Sequence, residues 1–185
     1  TGDQSMQAFY AWLIKAQPVP GDEVLASFNH PGREVLCFDD CVFVPPLDKR
    51  IVALECFNRS DDYGDAYFQT LDRGWHVGAI GVSDHHRDDW GNPTFPRAGI
   101  LAPALTLPQI QAALTARRVF ATRSPTLALL VMGGKELMGA RLYLESADPL
   151  QVEVWCHDPH ASQRRTRLEL WSNGGNLIAT HETRG

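Results

Sequence analysis

The chain has 185 residues, 44% hydrophobic and 21% charged, which is enough for one sizeable core or one domain with a small module. Its net charge is −5 and no basic run exceeds two residues, which argues against a phosphate-neutralising nucleic-acid face. No apolar stretch reaches membrane-spanning length and no signal-peptide pattern opens the chain, which suits a mature or trimmed product as well; location stays open, with cytoplasmic slightly favoured over secreted.

Asp3 is placed to cap a helix over residues 4–16, where Met6, Phe9, Tyr10, Leu13 and Ile14 repeat at three and four residues to make one apolar face. Residues 18–21 stop it. Residues 24–29 then read as a short buried strand ending in His30-Pro31-Gly32. Residues 33–50 hold Cys37, Asp39, Asp40, Cys41 and a Pro45-Pro46 break, and read as an irregular excursion with one short extended piece at 41–44. Of the four cysteines, Cys37 and Cys41 have spacing open to a local disulfide or a thiolate site. Together with Cys56 and Cys156 they read better as buried structural thiols.

Residues 51–57 form the next apolar strand, with Glu55 near its end and Asn58 just after. Residues 61–73 carry a helical pattern, with Tyr63, Tyr67, Phe68 and Leu71 on one face and Gly74 as the stop. A third apolar run, Val77-Gly78-Ala79-Ile80-Gly81-Val82, leads into Ser83-Asp84-His85-His86. Residues two apart in an extended segment share a face, so Asp84 and His86 point together while His85 leaves the other way. A carboxylate and an imidazole so placed suit a divalent metal such as Zn, Mn or Fe. Taken alone, Asp-x-His is equally a hydrated loop whose aspartate caps a turn.

Position raises the metal reading above that alternative. Three apolar runs end in order at His30, at Glu55 and Asn58, and at Asp84 and His86, and parallel α/β folds build their sites where strands end. Glu55 stays open between a ligand, an acceptor holding an imidazole and a partner of Arg59. Residues 87–105 read as one long loop roofing this edge, with Arg87 and Arg97 as candidates to hold an anionic substrate group or as plain surface charge. Thr106 and Gln109 form a capping-box pattern with Pro108 in the first turn of a helix to about Arg118.

Beyond residue 123 the pattern becomes short and alternating, at residues 127–131, 141–146, 151–156, 167–172 and 177–181. Gly133-Gly134 and Asn173-Gly174-Gly175 supply turns. Residues 124–185 therefore read as a small antiparallel β-sandwich-like module packed on an α/β part at 1–123.

The segments FNHPG (28–32), ALECFN (53–58), LDRGWHVGAIGVSDHH (71–86) and ARRVFAT (116–122) occur in the order found in another set of proteins. Together they resemble the later part of a PHP (polymerase and histidinol phosphatase) domain of the CehA/McbA-like branch, across roughly residues 1–145. LLVMGGKELMG (129–139) resembles the start of the β-rich extension that often follows. The resemblance implies the C-terminal part of a distorted (β/α)7 barrel and divalent metal ions as cofactors. His30, Asp84 and His86 map to the later ligands. It also implies a phosphoesterase that acts on a small phosphorylated substrate through a metal-bound hydroxide. No His-x-His precedes His30, so the metal set is expected to be incomplete without a complementing N-terminal segment or chain, and the chain by itself is expected to be a poor phosphoesterase. Two other readings stay open: a non-catalytic degenerate module binding a partner or carbohydrate, and an amide or carbamate hydrolase on the same metal chemistry. Asn58 and His85 join Arg87 and Arg97 as candidate substrate contacts.

Overall fold

A computed structural model describes residues 5–16, 24–88, 90–145, 149–161 and 165–184. Helix α1 (Met6–Lys15) starts at Ser5, whose hydroxyl accepts the Ala8 N–H at 3.2 Å; Asp3, expected as the cap, lies outside the described residues. Tyr10 and Leu13 are buried, whereas Phe9 and Ile14 are exposed, so the inner stripe of α1 is narrower than its apolar pattern.

Strand β1 (Ala26–Phe28) leads into α2 (Phe38–Cys41), a single turn, and then a 3₁₀ turn at Pro45–Leu47. Strand β2 (Ile51–Asn58) follows, then β3 (Asp61–Asp62), α3 (Gly64–Asp72) and β4 (Gly78–Val82). β2 is the centre of a four-stranded sheet. It pairs in parallel with β1 and β4, and its last two residues pair antiparallel with β3. Every residue of β2 except Phe57 is buried, which is why a continuous apolar run rather than an alternating one marks it. α3 supplies the crossover to β4. Its residues 61–62, expected as helix, are instead the β3 hairpin arm, because Tyr63 N–H returns to Cys56 C=O at 2.8 Å.

The core lies on the α1 side of this sheet. Leu13, Phe28, Leu47 and Leu54 are fully enclosed, and the Trp75 indole meets Phe28 and Phe43 edge-on at 5.1 and 5.2 Å. The excursion between β1 and β2 closes over it in an unusual way. Leu36 and residues 38–41 all have positive φ between 51° and 57°, so α2 is left-handed; of the extended piece expected at 41–44, Val44 has extended dihedrals, but no strand forms. Two buried donors hold it: Trp75 Nε1 bonds Cys41 C=O at 2.8 Å and the Tyr10 hydroxyl bonds Phe38 C=O at 3.4 Å.

Strand β5 (Arg97–Ile100), helix α4 (Leu107–Thr115) and strand β6 (Val119–Thr122) form the next unit, with β5 and β6 antiparallel. Residues 87–105 are thus not one loop. The Thr106 side chain makes no capping bond, so the capping box is not formed, although Pro108 does occupy the first turn. β5 lies against β4: a Cβ at Gly81 would stand 2.7 Å from Arg97 C=O.

Beyond residue 123, β7 (Ala128–Gly133), β8 (Glu136–Leu137) and β9 (Val152–His157) make a three-stranded antiparallel sheet. β10 (Arg165–Ser172) and β11 (Asn176–Arg184) make a separate hairpin. Residues 141–145, expected as strand, are not paired. β9 alternates in sequence, but all six of its residues are exposed, so no closed sandwich core forms among the described residues. The hairpin turn docks on α3 through Gly174 N–H to the Asp72 carboxylate and Trp171 against Phe68.

These sheets overturn the expected barrel. Three parallel strands and several small antiparallel sheets are present, the fold is mixed α/β and strand-rich, and no barrel is closed. The physical reason is visible at β4, whose far side meets the antiparallel β5–β6 pair instead of another βα unit. All four cysteines are free: Cys41 and Cys56 are buried as expected, whereas Cys37 is half-buried and Cys156 exposed. No described helix is long and apolar enough to cross a membrane.

Candidate functional site

The three parallel strands leave the sheet through non-glycine residues in the left-handed region: His30 after β1 (φ 37°), Arg59 after β2 (φ 52°) and Asp84 after β4 (φ 44°). Such residues cost on the order of 1–3 kcal/mol each and persist only where surrounding contacts impose them. Here the contacts interlock. The buried Glu55 carboxylate accepts the His30 N–H at 2.7 Å and the Asn58 Nδ2–H at 3.0 Å on the same oxygen, Oε2. Arg59 donates its Nε–H to Asp84 C=O at 3.2 Å and a second guanidinium N–H to the same oxygen. Glu55 is therefore the acceptor that fixes the His30 turn, and Arg59 serves Asp84.

The Asp84 carboxylate sits among an imidazole and two guanidinium groups. His86 Nε2 lies 3.2 Å from Oδ1; Arg33 Nη2 and Arg59 Nε lie 3.6 and 3.9 Å from Oδ2. Burial pushes the carboxyl up, but Arg59, His86 and Arg33 outweigh it and hold Asp84 below the ordinary carboxylate range. Arg123, just after β6, braces the turn that carries Arg59. It donates to the carbonyls of Arg59, Ser60 and Asp61 at 2.7, 3.2 and 2.9 Å and stacks over Phe57.

His86 meets Asp84, while His85 meets Phe95 in the loop after β4. His85 is half-buried against the Phe95 ring at 4.9 Å, and His86 is the exposed one. Both line a cavity of about 300 Å³ with Arg59, Arg87 and Phe95. Arg97 is turned away to other work: its Nη2 bonds the carbonyls of Asn92 and Phe95, each at 3.1 Å, and closes the residue 92–97 loop.

Asp84 and His86 are brought together, but His30 joins a different set. One ligand atom each from His30, Glu34 and Cys37 lies within 4.8 Å of the others, the single group of three such residues among those described. His30 Nδ1 is buried with no hydrogen-bond partner, and Glu34 Oε2 approaches it only to 3.9 Å. Burial pushes the Cys37 thiol above its ordinary value. Arg33, Glu34 and Arg123 are absent from the sequence-derived candidates, and Cys37 is weighed there only with Cys41, as a disulfide or thiolate pair. Arg33 and Glu34 carried one signal, their closeness to His30.

Comparison with protein-family models, curated proteins and solved structures finds no match to this chain.

Proposed function

We propose that the carboxyl edge of β1, β2 and β4 is the working face of a metal-dependent hydrolase acting on phosphoesters. The observation that carries this reading is the interlocked trio of left-handed strand exits, which gathers His30, Arg59 and Asp84 with buried Glu55 beneath them. Strain concentrated at adjacent strand ends is characteristic of sites rather than of plain turns. The resemblance of the NHPG and SDHH segments to PHP domains supports the same chemistry, independently of the barrel.

Asp84 and His86 suit a divalent cation, with a carboxylate oxygen 3.2 Å from an imidazole nitrogen. They would hold the ion from β4, whereas His30 belongs to the separate group with Glu34 and Cys37. A bound cation supplies Lewis-acid polarisation and lowers the pKa of coordinated water. Arg33 and Arg59 approach Asp84 from the same edge and can turn their guanidinium groups to a phosphoryl oxygen, which favours a phosphoester over a neutral amide. His85, Arg87 and Phe95 line the adjoining cavity and receive the rest of the substrate. Glu55 keeps the His30 turn rigid.

Equilibrium dialysis of the full chain against Mn²⁺ and Zn²⁺, followed by a nitrophenyl phosphate monoester and diester, tests this. Bound metal and slow, chelator-sensitive hydrolysis are expected, with hydrolysis lost and bound Mn²⁺ reduced in Asp84→Asn. A chain that binds neither ion, or hydrolysis indifferent to chelator and to Asp84→Asn, overturns the reading.

A further inference from the structure

Two turns follow β1, with Arg33 N–H on His30 C=O at 3.1 Å and Cys37 N–H on Glu34 C=O at 3.3 Å. They return Cys37 to His30, its Sγ lying 4.0 Å from the His30 carbonyl oxygen. Glu34, one helical step from His30 in sequence, reaches back to Nδ1. The result is an imidazole nitrogen, a carboxylate oxygen and a thiol sulfur within 4.8 Å of one another. His30 Nδ1, 3.9 Å from Glu34 Oε2, is withdrawn from solvent and left without a hydrogen bond, an uncompensated desolvation cost that a ligand would remove.

We propose that His30, Glu34 and Cys37 form a cradle for a thiophilic divalent cation of the zinc class on the β1 side of the strand edge. A tetrahedral zinc site spaces its ligand atoms roughly 3.5 Å apart, given metal–ligand distances of about 2.0–2.3 Å. Glu34 is exposed and its side chain is free to swing inward over the remaining gap. Thiolate and imidazole together select zinc over magnesium, calcium or manganese, and three protein ligands leave a fourth position open. As the metal–sulfur bond forms, the Cys37 thiol proton passes to solvent. This cradle is separate from the Asp84 and His86 pair of the hydrolase reading above: His30, which the resemblance grouped with that pair, is placed with Glu34 and Cys37.

Cobalt titration of the full chain under reducing conditions tests it. A near-ultraviolet thiolate-to-cobalt charge-transfer band that saturates at a single equivalent and is displaced by Zn²⁺ is expected. Cys37→Ser should abolish the band and weaken binding at least about tenfold; Glu34→Gln, at an exposed position that leaves folding intact, should keep the band and weaken binding. Cys156→Ser and Asp84→Asn should leave the band unchanged. No band in the wild-type chain, or a band that survives Cys37→Ser, overturns the cradle. A band without any phosphoester cleavage removes the hydrolase reading alone, and metal-dependent cleavage without a band removes the cradle alone.

Discussion

Glu55 shows how one buried side chain sets the geometry of the candidate site. Its Oε2 satisfies two donors at once, the strained His30 N–H and the Asn58 amide. Glu55→Ala would leave both without an acceptor in a buried setting, at about 1–3 kcal/mol for each unsatisfied group. An unfolding free energy from urea denaturation lowered by roughly 2–6 kcal/mol is expected, with Glu55→Gln losing less because an amide oxygen still accepts. A Glu55→Ala variant as stable as the parent would show that the His30 turn is held by something else. The two adjacent histidines make a second test. His86 meets Asp84 and is a candidate ligand, whereas His85 packs on Phe95. His86→Ala should reduce bound Mn²⁺ or Zn²⁺ measured by elemental analysis, and His85→Ala should leave metal content near normal while changing affinity for a phosphorylated substrate. Equal metal loss from both would place the metal nearer His85. The Asp-x-His pair was legible in sequence because it directly follows the apolar run of β4; the two arginines at Asp84 were not, since they arrive from the ends of other strands.

Strands β2 and β4 were readable because a strand flanked on both sides is apolar throughout, and their runs are bounded by polar residues that mark the sheet edge. β5 was not readable. It is four residues long, starts on an arginine and contains a glycine, so neither length nor alternation distinguishes it from loop. What specifies it is its neighbour: Gly81 has no side chain, and the Arg97 backbone fills that space. Gly81→Ala would set a Cβ 2.7 Å from Arg97 C=O and 3.0 Å from Arg97 N, with backbone that has little room to yield. Overpacking of this kind costs typically about 1–3 kcal/mol. Thermal unfolding of Gly81→Ala should fall accordingly, and hydrogen exchange should accelerate in β5 and β6 more than in β1. Unchanged exchange in β5 would mean that β4 and β5 separate without consequence. The left-handed α2 turn was equally hidden, for none of its residues is glycine and its restraints, Tyr10 and Trp75, are remote in sequence.

At the scale of the molecule, the two parts of the chain are joined by a polar knot centred on His76. Its Nε2 donates to Gly139 C=O at 2.7 Å, and its own carbonyl accepts Arg117 Nε–H at 2.8 Å. Asp48 accepts the His76 N–H at 2.8 Å and pairs with Arg141 at 2.9 Å, while Arg117 also reaches the Asp48 carbonyl. Gly139 fits here because its φ of +87° and its contact with the carbonyls of Ala116 and Arg117 leave no room for a Cβ. Nothing in the local pattern around residue 76 announces this role, since each partner comes from a different element. Burial and then the neighbouring Arg117 lower the His76 pKa, with Arg141 adding to the effect against the opposing pull of Asp48. The folded chain thus takes up a proton at His76 less readily than the unfolded chain, whose imidazole titrates near about 6.5. With more protons bound by the unfolded state, the stabilising effect of neutral His76 is complete above pH ~6.5 and is lost as pH falls below it. One such group changes stability by no more than about 1.4 kcal/mol per pH unit in that window. Urea midpoints should therefore decline from near-neutral to mildly acidic pH. Replacing His76 with Gln keeps an amide donor for Gly139, removes the titrating ring and should flatten that decline. A His76→Gln variant with the parental pH slope would assign the titration to another group and leave the His76 knot as a neutral hydrogen-bonded joint.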